Sequence, residues 1–298
     1  MSHESRTPEA RRLQTRQLVR VIALSAATLV VEVAGGLLSG SLALLSDAGH
    51  VLTDLLALVL SLMAVRFASL PATPAKSYGY HRLEILTALL NGALLIAISG
   101  GILYKAVRRF FDPVPIESSL MLGVAFVGLL ANLVGIALLS RAPQNINLRC
   151  ARMHVVGDAL SSVGVLVTGG IIALTGWERL DPLMGGVIAL VIAVGSLRLV
   201  REAVDVLLEA TPSGIDLDGV SRAIATVPGV VEVHDLHIWS ITTGLPALSG
   251  HVRLDGSHPQ TSDEMLNQIK QTVRDRFGIV HTTIQIESCA YQEMGDVH

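Results

Sequence analysis

The chain has 298 residues, a formal net charge of −3 and only 16% charged residues, with a mean hydropathy of +0.56. That balance excludes a chain made only of ordinary soluble domains. The absence of a basic stripe interleaved with aromatics excludes nucleic acid as a partner. Apolar character dominates up to about residue 208 and then falls, which marks the one clear domain boundary.

Residues 1–17 carry Arg6, Arg11, Arg12 and Arg16, and Arg20 follows. They read as a cytoplasmic tail ahead of a retained span, since no small-residue cleavage site follows. Six apolar segments then reach the roughly 20 residues that a membrane helix needs. They cover 18–38, 42–68, 84–107, 118–140, 152–175 and 182–205, giving a transmembrane domain over 18–208. Ser39-Gly40-Ser41, Pro71 with Pro74, Asp112-Pro113, Pro143-Gln144-Asn145, Gly176 and Asp181-Pro182 read as the breaks between them. Lys and Arg are more frequent on the side that receives the N-terminus, so both termini face the cytoplasm. Lys105, Arg108 and Arg109 form the exception to that bias.

Residues 209–290 read as a small soluble α/β domain. A helix is expected over Asp216–Val227, with Asp216 as its cap. Strands are expected over Val230–Ile241, Ala247–Leu254 and Ile279–Glu287, with Gly244 and Pro246 in the first turn. A second helix covers Ser262–Phe277. This αββαβ order places helices on one face of a small sheet. Residues 291–298 read as a disordered tail. Cys150 and Cys289 are too far apart to make a disulfide framework or a metal knuckle, and read as free thiols.

One spacing occurs twice in the apolar region. His50-Val51-Leu52-Thr53-Asp54 lies in the second segment and His154-Val155-Val156-Gly157-Asp158 in the fifth. Each places an imidazole and a carboxylate at i and i+4 on one helix face. Ionisable groups at that depth are costly and mark ion or substrate paths. Two His and two Asp can fill the four positions of a tetrahedral Zn²⁺ site. The second and fifth segments run in opposite directions, so the two pairs can converge near the midplane. Imidazole binds metal only when neutral and carboxylate only when ionised, so metal and protons compete for such a site. Asp47, one turn before His50, is a possible part of the cation path. Glu32, Asn91 and Asn132 read better as interhelical hydrogen bonders.

The residues that surround these pairs resemble those of the cation diffusion facilitators. Ser46-Asp47-Ala48-Gly49-His50-Val51-Leu52-Thr53-Asp54 and Met153-His154-Val155-Val156-Gly157-Asp158 are similar to that family's paired motifs. Tyr78-Gly79-Tyr80-His81-Arg82-Leu83-Glu84 and Val233-His234-Asp235-Leu236-His237-Ile238-Trp239 resemble its zinc-transporting bacterial branch. The resemblance covers residues 17 to 288. It implies a homodimer in the lipid bilayer that exports Zn²⁺, and also Cd²⁺ and Co²⁺, in exchange for protons. It implies a transport site of His50, Asp54, His154 and Asp158, and no organic cofactor. It also implies a metallochaperone-like cytoplasmic domain that serves regulation and dimerisation.

In that domain the resemblance assigns His234, His251 and Glu287 to a regulatory metal, with His237 and His281 as neighbouring candidates. A further ligand of some relatives is Gln285 here, a poor zinc donor. The loop Thr73–Tyr80 lacks the ligands of a second site that some relatives have, and no metal is expected there. The loop after the fourth segment lacks a His-rich tract, which favours a bacterial inner-membrane protein. Arg82 and Glu209 occupy positions where relatives interlock their subunits; a solvated surface pair is the rival reading.

Two other functions fit the same donors. An intramembrane metalloenzyme would need an open metal position and a placed base, and no His-Glu-x-x-His occurs. A membrane metal sensor would bind without moving the ion.

Overall fold

The computed structural model describes the backbone of residues 8–68, 72–140, 146–255, 261–288 and 291. It describes their side chains from residue 19 onward, except for 57–68, 146–151 and 154. Both cysteines and the stretch read as a disordered tail, save Tyr291, lie outside the residues whose side chains are described.

Six long helices come first: α1 (Pro8–Ser39), α2 (Leu42–Ala68), α3 (Arg82–Phe111), α4 (Ser118–Ser140), α5 (Ile146–Thr175) and α6 (Leu180–Leu207). Among the described residues, α3, α4, α6, Val19–Ser39 of α1 and Val155–Thr175 of α5 are long and apolar enough to cross a membrane. α2 is 27 residues long, and the side chains of its last turns lie outside the described residues. Large apolar side chains such as Leu90, Leu174 and Val191 are exposed along these helices. That is what a lipid-facing surface requires.

Several boundaries differ from the sequence expectation; α5, for one, starts at Ile146 rather than at residue 152. α1 starts at Pro8, inside the stretch read as a tail. Proline is favoured in the first helical turn, and Glu9-Ala10-Arg11-Arg12-Leu13 contains no breaker. Likewise Asp181 and Pro182 do not interrupt the chain between helices; they open α6. A proline there costs no hydrogen bond, because the first N–H groups of a helix have no internal acceptor.

The chain divides into two compact units, Met1–Leu62 with Leu90–Val200, and Met63–Leu89 with Arg201–His298. In the first unit, Leu44, Met121, Val165 and Ile192 form a core between α2, α4, α5 and α6. Val21, Leu139 and Val155 form a smaller cluster of α1, α4 and α5.

The start of α2 is held by α6. The buried Asp181 carboxylate accepts from Ser41 Oγ (2.5 Å) and from the backbone N–H of Leu42 (2.7 Å) and Ala43 (3.1 Å). An acid from another helix thus satisfies the orphan donors of the α2 N-terminus. Ser46 Oγ, one turn on, donates to Gly185 O at 2.9 Å. A Cβ on Gly185 would lie 2.9 Å from the Leu42 carbonyl carbon, so only glycine permits this crossing. The register of α2, and with it the depth of His50, is fixed against α6.

The second unit contains α7 (Leu217–Ala225), β1 (Val230–Thr242), β2 (Leu245–Leu254), α8 (Ser262–Phe277) and β3 (His281–Ser288). The sheet order is β1-β2-β3, with β1 and β2 antiparallel and β2 and β3 parallel. Val220, Ile224, Ile238, Leu248, Val252, Met265, Ile269 and Val273 bury one sheet face under the two helices. α8 starts where the sequence places it, because Thr261 and Glu264 form a reciprocal capping box that satisfies two donors at once. Asp216 occupies the N-cap of α7 without capping it; its carboxylate takes Arg222 instead, at 3.2 Å. Pro246 lies in β2 opposite Ser240 rather than in the turn. A strand's first residues tolerate a missing N–H.

Candidate metal centres

His50 and Asp54 lie one turn apart on α2, and Asp158 faces them from α5. Each offers one ligand atom, and all three atoms lie within 4.8 Å of one another. His50 Nε2 is 3.6 Å from Asp158 Oδ1, with the Asp158 side chain 6% exposed and His50 32%. That separation is too long for a hydrogen bond. It is close to the ~3.3 Å between donors in a tetrahedron with bonds of about 2.0 Å. That pair needs only a small contraction to share a divalent ion. Two carboxylates balance its charge, which lowers the cost of holding it away from water. His154 lies on α5, and its side chain is outside the described residues.

Asp47 is buried (2% exposed) one turn from His50 but is not part of the ligand cluster. It accepts from Ser162 Oγ of α5 at 3.5 Å, and Ser162 Oγ in turn accepts from Asn132 Nδ2 of α4 at 3.3 Å. Asn132 is the interhelical hydrogen bonder its sequence context suggests.

The second cluster lies on the sheet face away from α7 and α8. Register pairs His234 with His251 and His251 with Gln285, a row across three strands. Glu287, 3% exposed, stands beside that row. His234 Nε2 is 3.3 Å from Glu287 Oε2 and His251 Nδ1 is 3.2 Å from Glu287 Oε1. The two imidazoles meet edge to face at 5.4 Å. These three residues again offer ligand atoms within 4.8 Å of one another. Gln285 donates to Glu287 Oε1 at 2.9 Å. It orients the carboxylate, a role its amide fills better than metal binding.

The two neighbouring candidates stand differently. His237 Nε2 pairs with Asp235 Oδ1 at 2.9 Å, and Asp235 Oδ2 lies 3.7 Å from His251 Nε2. His237 is thus linked to the cluster through Asp235, a residue that sequence reasoning quoted but did not select. β1 carries an irregularity between His234 and His237, and Asp235 adopts φ +48° there. The bulge lets one carboxylate address both imidazoles. Asp is among the few non-glycine residues that tolerate this region, but no local pattern announces the bulge. His281 is outside the cluster, with its ring edge-on to Tyr78 at 5.6 Å.

Arg82 NH2 donates to Glu209 Oε1 at 2.7 Å within one chain, and both side chains are largely exposed. Asp181 was also missed. Its bonds to the α2 start span 138 to 140 residues, a distance over which spacing is silent.

Residues 18–208 match the model of the cation efflux transmembrane domain. Residues 212–289 match that of the cytoplasmic domain of cation efflux proteins, a dimer-forming type. The zinc transporter ZitB of Escherichia coli (strain K12) is 38% identical over 275 residues, covering 91% of this chain and 87% of that protein. The metal cation efflux system protein CzcD of Cupriavidus metallidurans is 40% identical over 274 residues, covering 91% and 86%. A cadmium, cobalt and zinc/H(+)-K(+) antiporter of Bacillus subtilis is 38% identical over 267 residues, covering 88% and 86%.

Proposed function

Because the chain belongs to the cation efflux family, and is therefore a multi-pass membrane transporter of metal cations rather than an enzyme, we propose that it exports Zn²⁺ from the cytoplasm in exchange for protons. Cd²⁺ and Co²⁺ are the secondary substrates of this reading. His50, Asp54 and Asp158 hold the ion, with His154, four residues before Asp158 on α5, as the fourth donor. The observation that carries the reading is the meeting of α2 and α5 donors, with His50 Nε2 3.6 Å from Asp158 Oδ1.

The chemistry supports antiport. A metal ion can enter only when both carboxylates are ionised and the imidazoles are neutral. When the ion leaves, the same donor atoms can take protons in its place. A site opened to each side in turn exchanges one for the other. The protein acts as a homodimer in a bacterial inner membrane with both termini cytoplasmic. The His234, His251 and Glu287 cluster takes a regulatory metal there. Metal at that cluster biases the conformational equilibrium by binding one state better than the other.

The test is zinc and proton flux in proteoliposomes. The expected outcome is zinc movement that follows an imposed pH gradient and is abolished in Asp54→Ala and Asp158→Ala. Flux indifferent to the gradient would overturn antiport. Undiminished flux in both variants would overturn the site.

A further inference from the structure

One helical turn from the transport cluster lies a second polar group that takes no part in it. Asp47 precedes His50 by three residues on α2, and Ser162 follows Asp158 by four on α5. With the N-terminus cytoplasmic, α2 runs inward and α5 outward, so both displacements point to the outside. Glu32 of α1 enters the same layer and is 1% exposed. Gly128 of α4 makes room for it: a Cβ there would lie 2.8 Å from Glu32 Oε1 and 3.7 Å from Ser162 Oγ.

Helix packing alone does not account for this layer. Asn132 and Ser162 already supply the α4–α5 hydrogen bond. Among the described residues, Glu32 Oε2 has no hydrogen-bond partner, although its side chain is buried. A buried carboxylate oxygen left without a partner is costly. A cation held there would give that oxygen a partner.

We propose that Glu32, Asp47 and Ser162 form an oxygen-donor station for the outgoing divalent cation, one turn outward of the His/Asp site. The proposal rests on the transport reading above. Two carboxylates match the charge of the ion. An all-oxygen set holds Zn²⁺ less tightly than one with imidazole nitrogen. The ion thus steps from a tighter site to a weaker one before release. Sites on a conduction path must be favourable enough to enter and weak enough to leave.

The test uses the full-length protein in proteoliposomes with Zn²⁺ as the probe. Net transport driven by a pH gradient and isotopic zinc-for-zinc exchange are both measured for Glu32→Gln and Asp47→Asn. Zinc affinity is measured on the same proteins in detergent. The expected result is that both variants slow net transport and exchange by about tenfold or more, which corresponds to roughly 1.4 kcal/mol added to the passage barrier. Affinity at the transport site stays near that of the native protein. Glu32→Asp, which keeps the charge, restores much of the exchange and separates loss of the donor from misfolding.

Three results would overturn the proposal. Unchanged exchange in both variants would make the layer structural. Intact exchange with lost response to the pH gradient would make Glu32 and Asp47 proton carriers. A parallel collapse of zinc affinity would make them supports of the His/Asp site. Failure of the underlying reading looks different: the native protein would carry no zinc, or Asp54→Ala would carry it normally.

Discussion

The two metal clusters are assembled by different rules. The membrane cluster gathers donors by spacing along helices: His50 and Asp54 share a face of α2, and Asp158 arrives from α5. The cytoplasmic cluster gathers donors by register across strands: His234 faces His251, and Glu287 comes from β3. A helix fixes its side-chain period internally, whereas a strand acquires its neighbours only on pairing. The membrane cluster also sits where ionisable groups are rare and expensive, so its donors stand out. The cytoplasmic donors lie on a half-exposed sheet face where histidine is commonplace.

Breaking each cluster separately sharpens that contrast. Asp54→Ala or Asp158→Ala removes a proposed ligand and is expected to lower zinc flux by more than the roughly 10–100-fold cost of losing a ligand's supporting partner. The triple variant His234→Ala, His251→Ala, Glu287→Ala is expected to leave the maximal rate standing. It should shift the zinc concentration that gives half that rate by about fivefold or more, the low end of allosteric coupling. Flux measured over a range of zinc concentrations tests both. A triple variant with native zinc dependence would remove the regulatory role.

The same contrast explains what the sequence made legible. The six helices, the αββαβ order and the start of α8 follow from apolar length, β-branched runs and the Thr261–Glu264 box, all of them local signals. The His50–Asp54 spacing is local as well, and the doubling at His154–Asp158 suggested that two helices cooperate. Non-local bonds were illegible. Asp181 looked like a break between helices because its acceptor role depends on α2, which lies far away in the chain. Asp235 was passed over because its reach to His237 and His251 depends on a bulge and a positive φ. Glu32 looked like a hydrogen bonder until burial showed an open carboxylate oxygen among the described residues.

Asp181 offers the next largest effect. Its carboxylate is fully buried and serves two N–H groups and one hydroxyl at the start of α2. Asp181→Ala leaves those donors without an acceptor, at about 1–3 kcal/mol for each buried group left unsatisfied. A clear drop in melting temperature is expected, together with weaker zinc binding at the membrane site, because α2 loses the fixed register that sets the depth of His50. Asp181→Asn retains one acceptor oxygen and should fall between. Native thermal stability in Asp181→Ala would show that the α2 start finds other acceptors.

A smaller effect is expected at Asp235. Its carboxylate orients two imidazoles, and loss of such a partner costs about 10-fold or more in metal affinity. Asp235→Gly is the sharper substitution, since glycine adopts the observed φ of +48° without strain. The measurement is zinc titration of full-length protein that also carries Asp54→Ala, so that the cytoplasmic cluster reports alone. Unaltered affinity would make the Asp235–His237 pair a surface feature unconnected to metal.

The smallest effect concerns Arg82 and Glu209. They form a 2.7 Å pair with side chains 42% and 58% exposed. Exposed pairs contribute about 0–1 kcal/mol, because water screens the attraction and two long side chains lose freedom. A second bond brings α3 and the sheet together in the same unit, since Thr242 Oγ1 at the end of β1 donates to Glu84 Oε2 at 2.6 Å. Arg82→Ala should therefore shift the melting temperature little, and Arg82→Ala with Thr242→Val should shift it more. A subunit interlock predicts something else: Arg82→Ala alone would weaken dimerisation while intrachain stability stays put. Analytical ultracentrifugation of the single variant decides between them. The closure of this pair within one chain favours an unchanged dimer, because a guanidinium already bonded at 2.7 Å must give up that carboxylate before it can reach across to another subunit.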